Sequence, residues 1–302
     1  MPTIIQFFHP GSEHGHDRGN KYHKSWNEDG HRRKFISATG DYIGTDNKLN
    51  TNKEIMFWGE WEPDSKVKEF YEYDNIGKLP RFLHFPYIRS KLPIPNPQPC
   101  NKKHWQNTDP FVFGDNFKYA ICLQGRKYCD YRICNLEAGT IIIFGSLFKG
   151  ENGICRLMKV DTVFVVSNET IDRNALFIMK NDNLSENDKL YFKISFRMAF
   201  PSNEDYPNIN KIYSGVKYED REKYNGLFSF VPAIYKTEDT PKKGFSRIEI
   251  PLFYETEQTQ TPFFTKNFSL DDYIEYWKNL KDRCFSSSGC IATRIDMPIL
   301  DK

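Results

Sequence analysis

The chain has 302 residues, 39% hydrophobic and 27% charged, with a formal net charge of +2. That length suits one large domain or two modest ones with a substantial core. The balanced charge argues against a strongly basic, sequence-blind duplex binder, and no apolar run approaches the roughly 20 residues that span a bilayer.

Residues 3–8, TIIQFF, predict a strand that runs into a histidine-bearing loop, HPGSEHGHD. From 9 to 53 the chain is polar and rich in Gly, Asn and Asp, the composition of a functional or disordered segment. EIMFWGEWEP (54–63) predicts a second strand ended by Pro63, after which Asp64 or Ser65 caps a short helix over SKVKEFYEY. The proline-dense stretch 79–110, which includes KLPIPNPQPC, is unsuited to a sheet interior and predicts extended connecting chain. Strands then dominate: KYAICLQ (118–124), GTIIIFGS (139–146), DTVFVVS (161–167), LYFKISFRMAF (190–200), GLFSFVPAIY (226–235) and FSRIEIPLFY (245–254). SLDDYIEYWKNLKDRCF (269–285) predicts the best helix, with Ser269 and Asp272 as a capping-box-like start and Ile274, Trp277 and Leu280 on one face. The expected class is β-rich α+β. Residues 1–95 form an N-terminal region packed on a β-rich region, 96–302, that carries the helix.

The start of the chain lacks a basic n-region and its apolar run is too short for a signal peptide. The seven cysteines are odd in number, show no C-x-x-C pair, and place Cys129 and Cys134 at a spacing unlike a zinc knuckle. Reduced thiols and a cytoplasmic location are the expectation.

The segment 105–167 has a more specific order. A Tyr-x-x-Cys strand carries Tyr119 and Cys122. Gly139 then precedes the apolar run Ile141–Phe144, which ends in Gly145–Ser146, and the strand Val163–Val166 follows. This order resembles the core of PUA-like domains, including the EVE and ASCH groups, and the domains named nucleotide-modification-associated. Where those families often have Gly-Asp before the apolar strand, this chain has Gly139–Thr140. The resemblance implies a PUA-like small barrel element and a role in binding modified bases, or beside base-modification or phage-defence systems. It assigns no catalytic residue.

Aromatics reach 16%, with 25 Phe and 17 Tyr. Most such rings pack cores, but rings beside a barrel mouth can stack on a base, each stack worth about 1–3 kcal/mol. Trp58, Trp61, Trp105 and Tyr119 are the candidates, and the two tryptophans three apart should face opposite ways. In the histidine loop three readings stay open. His9, His14 and His16, with Glu13 and Asp17, are suitable donors for a divalent transition metal, although no familiar ligand signature fits. Alternatively, the turn after the strand, with Ser12 and a histidine, holds a phosphate, aided by Arg32, Arg33 and Lys34. The third reading is a polar surface segment. His9 or His14 with Glu13 or Glu60 is the first acid–base pair to test. Ser146, at the end of the apolar strand, is a further ligand-binding candidate. In SGVKYEDREKYNGLFSFVPA (214–233), Tyr218, Tyr224 and Arg221 are available to a lid over a base or phosphate.

The leading expectation is recognition of a nucleotide, a modified nucleobase, or single-stranded or flipped-base nucleic acid. The alternatives are a metal- or His-dependent hydrolase or nuclease acting on a nucleotide or phosphodiester, and a subunit of a larger protein complex or homo-oligomer. No membrane partner is expected.

Overall fold

Two mixed sheets carry the computed structural model, which describes residues 3–11, 13–14, 23–24, 32–69, 80–89, 108–120, 122, 131–147, 152–172, 185–196, 211–238, 245, 247–257, 263–264, 268–287 and 289–301. Strands are numbered in chain order. The first sheet runs β13 (Phe263–Phe264), β1 (Ile4–Pro10), β8 (Ile141–Leu147), β9 (Cys155–Asp172), β10 (Lys211–Gly215), β7 (Lys118–Tyr119), with β12 (Glu249–Thr256) also on β9. The second runs β14 (Cys290–Ile295), β11 (Val231–Tyr235), β4 (Leu49–Gly59), β3 (Lys34–Gly44), β6 (Phe82–Arg89), β5 (Ser65–Glu69), β2 (His23–Lys24), with β15 (Ile299–Asp301) on β6. β14 also pairs with β3, so the pairing of β3, β4, β11 and β14 closes on itself. β1–β8, β3–β6 and β6–β15 are parallel and the other pairs antiparallel. The helices are α1 (Tyr131–Cys134), α2 (Glu186–Tyr191) and α3 (Leu270–Ser287), with a 3-10 turn over Tyr218–Tyr224. The molecule is a β-rich α+β protein. Among the described residues no helix is long and apolar enough to cross a membrane.

Alternation along β1 and β8 explains the layering. Ile5, Phe7, Ile142 and Phe144 face the core between the sheets, where they meet Ile36, Ile55 and Phe57. Ile4, Phe8, Ile141 and Ile143 face the other way, into a core shared with Tyr273, Trp277, Leu280 and Cys284 of α3. A strand buried on both faces reads as an unbroken apolar run, as IIIF does. The start of α3 matches its signature, with Asp272 N–H donating to Ser269 Oγ at 3.1 Å.

Strands cross the 95/96 line in both directions. β1 lies among β8 and β9, whereas β11, β14 and β15 pair with strands from residues 34–89.

Several expected elements differ. SKVKE forms β5, not a helix: Ser65 and Val67 are buried while Lys66 and Lys68 are exposed, a period of two. LYFKISF is the end of α2 and a following π turn, not a strand. Ser185 caps the helix, and Tyr191, Ile194 and Ser195 are buried at helical spacing. β6 lies inside the proline-dense stretch. Its neighbour β3 pairs at Leu83 and His84 and β15 pairs at Tyr87–Arg89, so Pro86 falls between them. Tyr87 N–H donates to Asp64 O, so the adjacent position points away from β5 and needs no donor there. Of KYAICLQ, Lys118–Tyr119 form β7 while residues 121, 123 and 124 lie outside the described residues, and DTVFVVS is the middle of the longer β9. Cys122, Cys155, Cys284 and Cys290 are buried and outside any disulfide, whereas Cys134 is disulfide-bonded, contrary to the expectation of reduced thiols throughout. Residues 90–107 lie outside the described residues.

Candidate functional site

The two sheets join where β1 ends. His9 lies in register with Ser146 of the parallel strand β8. The chain then leaves the first sheet and hooks onto the second: Glu13 bridges to Arg33, and His14 N–H donates to Arg33 O at 2.8 Å. Beneath this hook lies a cluster of charge that water barely reaches. Arg33 is 2% exposed, Asp161 4%, Arg247 5% and Ser146 0%.

Asp161, inside β9, is the hub. Its Oδ2 accepts from Arg33 Nε at 2.6 Å and from Ser146 Oγ at 3.3 Å, and its Oδ1 accepts from Arg247 Nη1 at 3.3 Å. Arg247 also donates to Ser146 Oγ and to Gly11 O, and its guanidinium lies 4.8 Å from the centroid of the Trp58 ring. Arg33 Nη2 reaches Gly145 O at 3.3 Å, and Nη1 lies 3.3 Å from Glu60 Oε2. Burial alone would lower the pKa of Arg33, but the carboxylates of Glu60 and Asp161 outweigh it and hold it raised. Burial lowers that of Arg247, opposed by Asp161 and reinforced by the charge of Arg33.

Gly145 permits this convergence. The β8–β9 register slips between Phe144 and Gly145, re-aiming the residues that follow. A Cβ at Gly145 would sit 2.2 Å from Lys159 O, so only glycine lets the strands approach this closely.

The other wall is acidic. Beyond β4, GEWEPDS supplies Glu60, Glu62 and Asp64, all buried. Burial, then the charge of Glu60, pushes Glu62 well above the usual carboxylate range, against the pull of Lys34. Lys34, fully buried, donates from Nζ to Pro63 O at 3.0 Å. His84 lies between Ser65 Oγ (Nδ1, 2.9 Å) and His14 O (Nε2, 3.1 Å). Its ring centroid is 6.2 Å from that of His14.

The structure thus gathers Arg33, Ser146, Glu60 and Trp58 of the expected residues in one cluster, with His9 and His14 on the chain that covers it. Trp58 and Trp61 face opposite ways, as their spacing predicts. Trp58 packs with Phe35, Met56 and Leu83, while Trp61 enters the main core, 4.9 Å from the Phe113 centroid. Tyr119 also lies in that core, ringed by Phe7, Phe144, Phe164 and Tyr213, with its hydroxyl donating to Cys122 O. Large apolar area drew both rings inward. Glu13 anchors the start of β6: its carboxylate accepts from the N–H groups of Arg81 and Phe82 and from Arg81 Nε. Burial raises its pKa, and those backbone donors oppose the rise. Arg32 is partly exposed. Ser12, His16 and Trp105 lie outside the described residues. Among the described residues no group of three or more His, Cys, Asp or Glu side chains is placed to hold a metal ion.

No family model, curated protein or solved structure matches the chain.

Each buried ion loses several kcal/mol of hydration, and well-packed apolar residues of similar volume often stabilise as well or better. A cluster of this size at a strand-end junction marks a functional-site candidate. Sequence reasoning missed Asp161, Arg247, Glu62 and His84. The signal for Asp161 was a lone charge inside an apolar run, VDTVFVV; Arg247 shares the alternating run FSRIEI with Glu249. For Glu62 it was an acid at every second position of GEWEPDS.

Proposed function

We propose that the protein recognises a nucleotide or modified nucleobase, with the Arg33–Asp161–Arg247–Ser146 cluster contacting its polar edge or phosphate. The observation that carries this is the convergence of two guanidiniums and a hydroxyl on one buried carboxylate, with Arg247 stacked on Trp58. Guanidinium forks bind phosphate and carboxylate in paired hydrogen bonds, and a carboxylate beside them accepts from base amino groups. The resemblance of residues 105–167 to PUA-like domains supports the same reading, because Ser146 and Gly145 belong to both. It also supports a place beside base-modification or phage-defence systems. Ligand entry requires Arg247 to release the Gly11 carbonyl that it holds.

Titration against free bases, nucleotides and single-stranded oligonucleotides, read by tryptophan fluorescence, tests the proposal. A saturable change with Kd below about 1 mM, roughly −4 kcal/mol, is expected. No ligand binding more tightly than that overturns it.

One observation favours a second reading, hydrolysis of a nucleotide or phosphodiester. A carboxyl at Glu62 whose pKa burial and the neighbouring Glu60 raise well above the usual carboxylate range is suited to a general acid. Turnover of a phosphodiester that Glu62→Gln abolishes, with Kd unchanged, would select this reading. Binding without turnover would select recognition alone.

A further inference from the structure

β3 connects two different sites. It starts beside Arg33 and ends near Ile43, roughly 30 Å away at the rise of an extended strand. At the Ile43 end a cleft of about 320 Å³ opens between the 3-10 turn and α3. Its floor is apolar: Ile43, Leu227, Phe228 and Trp277 are buried, and the Phe228 and Trp277 rings meet edge-on at 4.9 Å. Its rim is cationic, with Arg221, Lys278 and Lys281 against one carboxylate, Asp282.

Arg221 is held in place before any ligand arrives. Its guanidinium lies 4.0 Å over the Tyr218 ring, and Nη1 donates to Tyr218 O at 2.8 Å. The turn that carries it ends in left-handed backbone at Asn225 and Gly226, with Gly226 N–H donating to Arg221 O. Lys281 Nζ sits 5.9 Å from the Trp277 ring centroid, so one of the rim cations already borders the aromatic floor.

We propose that this cleft binds a small organic anion with an aromatic ring: the ring lies on Phe228 and Trp277, and the acid group meets Arg221, Lys278 and Lys281. An apolar floor alone would take any hydrophobe. Three lining cations against one lining carboxylate, with Glu222 also 3.4 Å from Arg221 Nε, leave the rim net positive and select a negative ligand, and a cleft of about 320 Å³ lies at the small end of ligand pockets, suiting a one- or two-ring acid. The site is separate from the nucleotide reading and stands or falls without it.

Isothermal titration with naphthalene-1-carboxylate at low ionic strength, with naphthalene-1-carboxamide as the neutral control, tests this. The carboxylate should bind with a Kd of about 1 mM or lower, and the amide about tenfold more weakly. Lys278→Ala with Lys281→Ala should weaken carboxylate binding about fivefold, and Asp282→Asn should strengthen it about twofold, since rim ion pairs are individually modest. Both lysines project from a helix surface, so an unchanged melting curve confirms folding. Arg247→Met, at the other site, should leave the carboxylate affinity unchanged. No saturable heat, equal binding of the amide, or indifference to the lysine pair would each overturn the proposal.

Discussion

The two ends of β3 handle charge in opposite ways. At Arg33 the ions are inside, dehydrated, and locked to one another through Asp161. At Ile43 they stand on a rim above buried aromatics. Buried ions fix geometry strongly because each leaves a costly orphan when its partner is removed. Rim ions leave water only partly, so they choose a ligand's sign while contributing little to the fold. The first arrangement ties two sheets together where β1 changes partners; the second decorates a helix that already has its own apolar anchor.

Removing the hub should break that contrast most sharply. Asp161→Ala leaves two buried guanidiniums facing no shared carboxylate and should cost about 3–5 kcal/mol in urea unfolding. A loss below about 1 kcal/mol would mean the cluster does not hold the sheets. Gly145→Ala comes next, since its Cβ would meet Lys159 O and the Met158 methyl at 2.2 and 2.7 Å. Overpacking of that kind costs about 1–3 kcal/mol. Gly226→Ala, at the cleft, meets nothing within 4 Å but has φ +84; left-handed strain alone should cost about 1 kcal/mol. Equal losses at the two glycines would erase the distinction between close approach and backbone strain.

The pH dependence of stability sharpens the comparison further. Glu62 is raised well above 4.5 in the fold, by burial first and then by Glu60. The folded state therefore holds this proton more tightly than the unfolded chain. Its contribution is complete below the unfolded value and is lost as pH rises through the folded one. Glu62→Gln should flatten that decline, leaving the smaller slope of the same sign from Glu13. Denaturant midpoints measured from pH 4 to 9 check it; a slope identical to the parent contradicts the assignment. The smallest effect belongs to the rim: Lys278→Ala with Lys281→Ala should shift stability by no more than about 0.5 kcal/mol.

Much of the fold was legible where one local rule dominated. IIIF between glycines reads as a central strand, and Ser269 with Asp272 reads as the start of α3. SKVKE misled because a capping residue before a short charged run resembles a helix start, while pairing with β6 imposed a period of two. LYFKISF misled because its apolar positions satisfy both periods, and the Ser185 cap decided for the helix. At the candidate site, Arg33, Glu60 and Ser146 were legible as charged or polar residues at strand ends. Asp161 and Arg247 are 86 positions apart and meet because the chain entering β12 runs antiparallel to β9, with Glu249 opposite Lys159 and Val160 N–H donating to Ile248 O. No local pattern encodes that meeting, although the single charge in VDTVFVV hints at the Asp161 half.

The most direct test of the buried cluster as a ligand site is thermal unfolding with and without nucleoside monophosphates and free bases. A ligand that binds the fold at a hundred times its Kd stabilises it by about 2.7 kcal/mol. The account predicts that at least one such ligand raises the Tm of the parent protein. It also predicts that the rise largely disappears in Ser146→Ala and Arg247→Met, whose own unfolding stays cooperative. No rise with any nucleotide or base, or an equal rise in both variants, would contradict it.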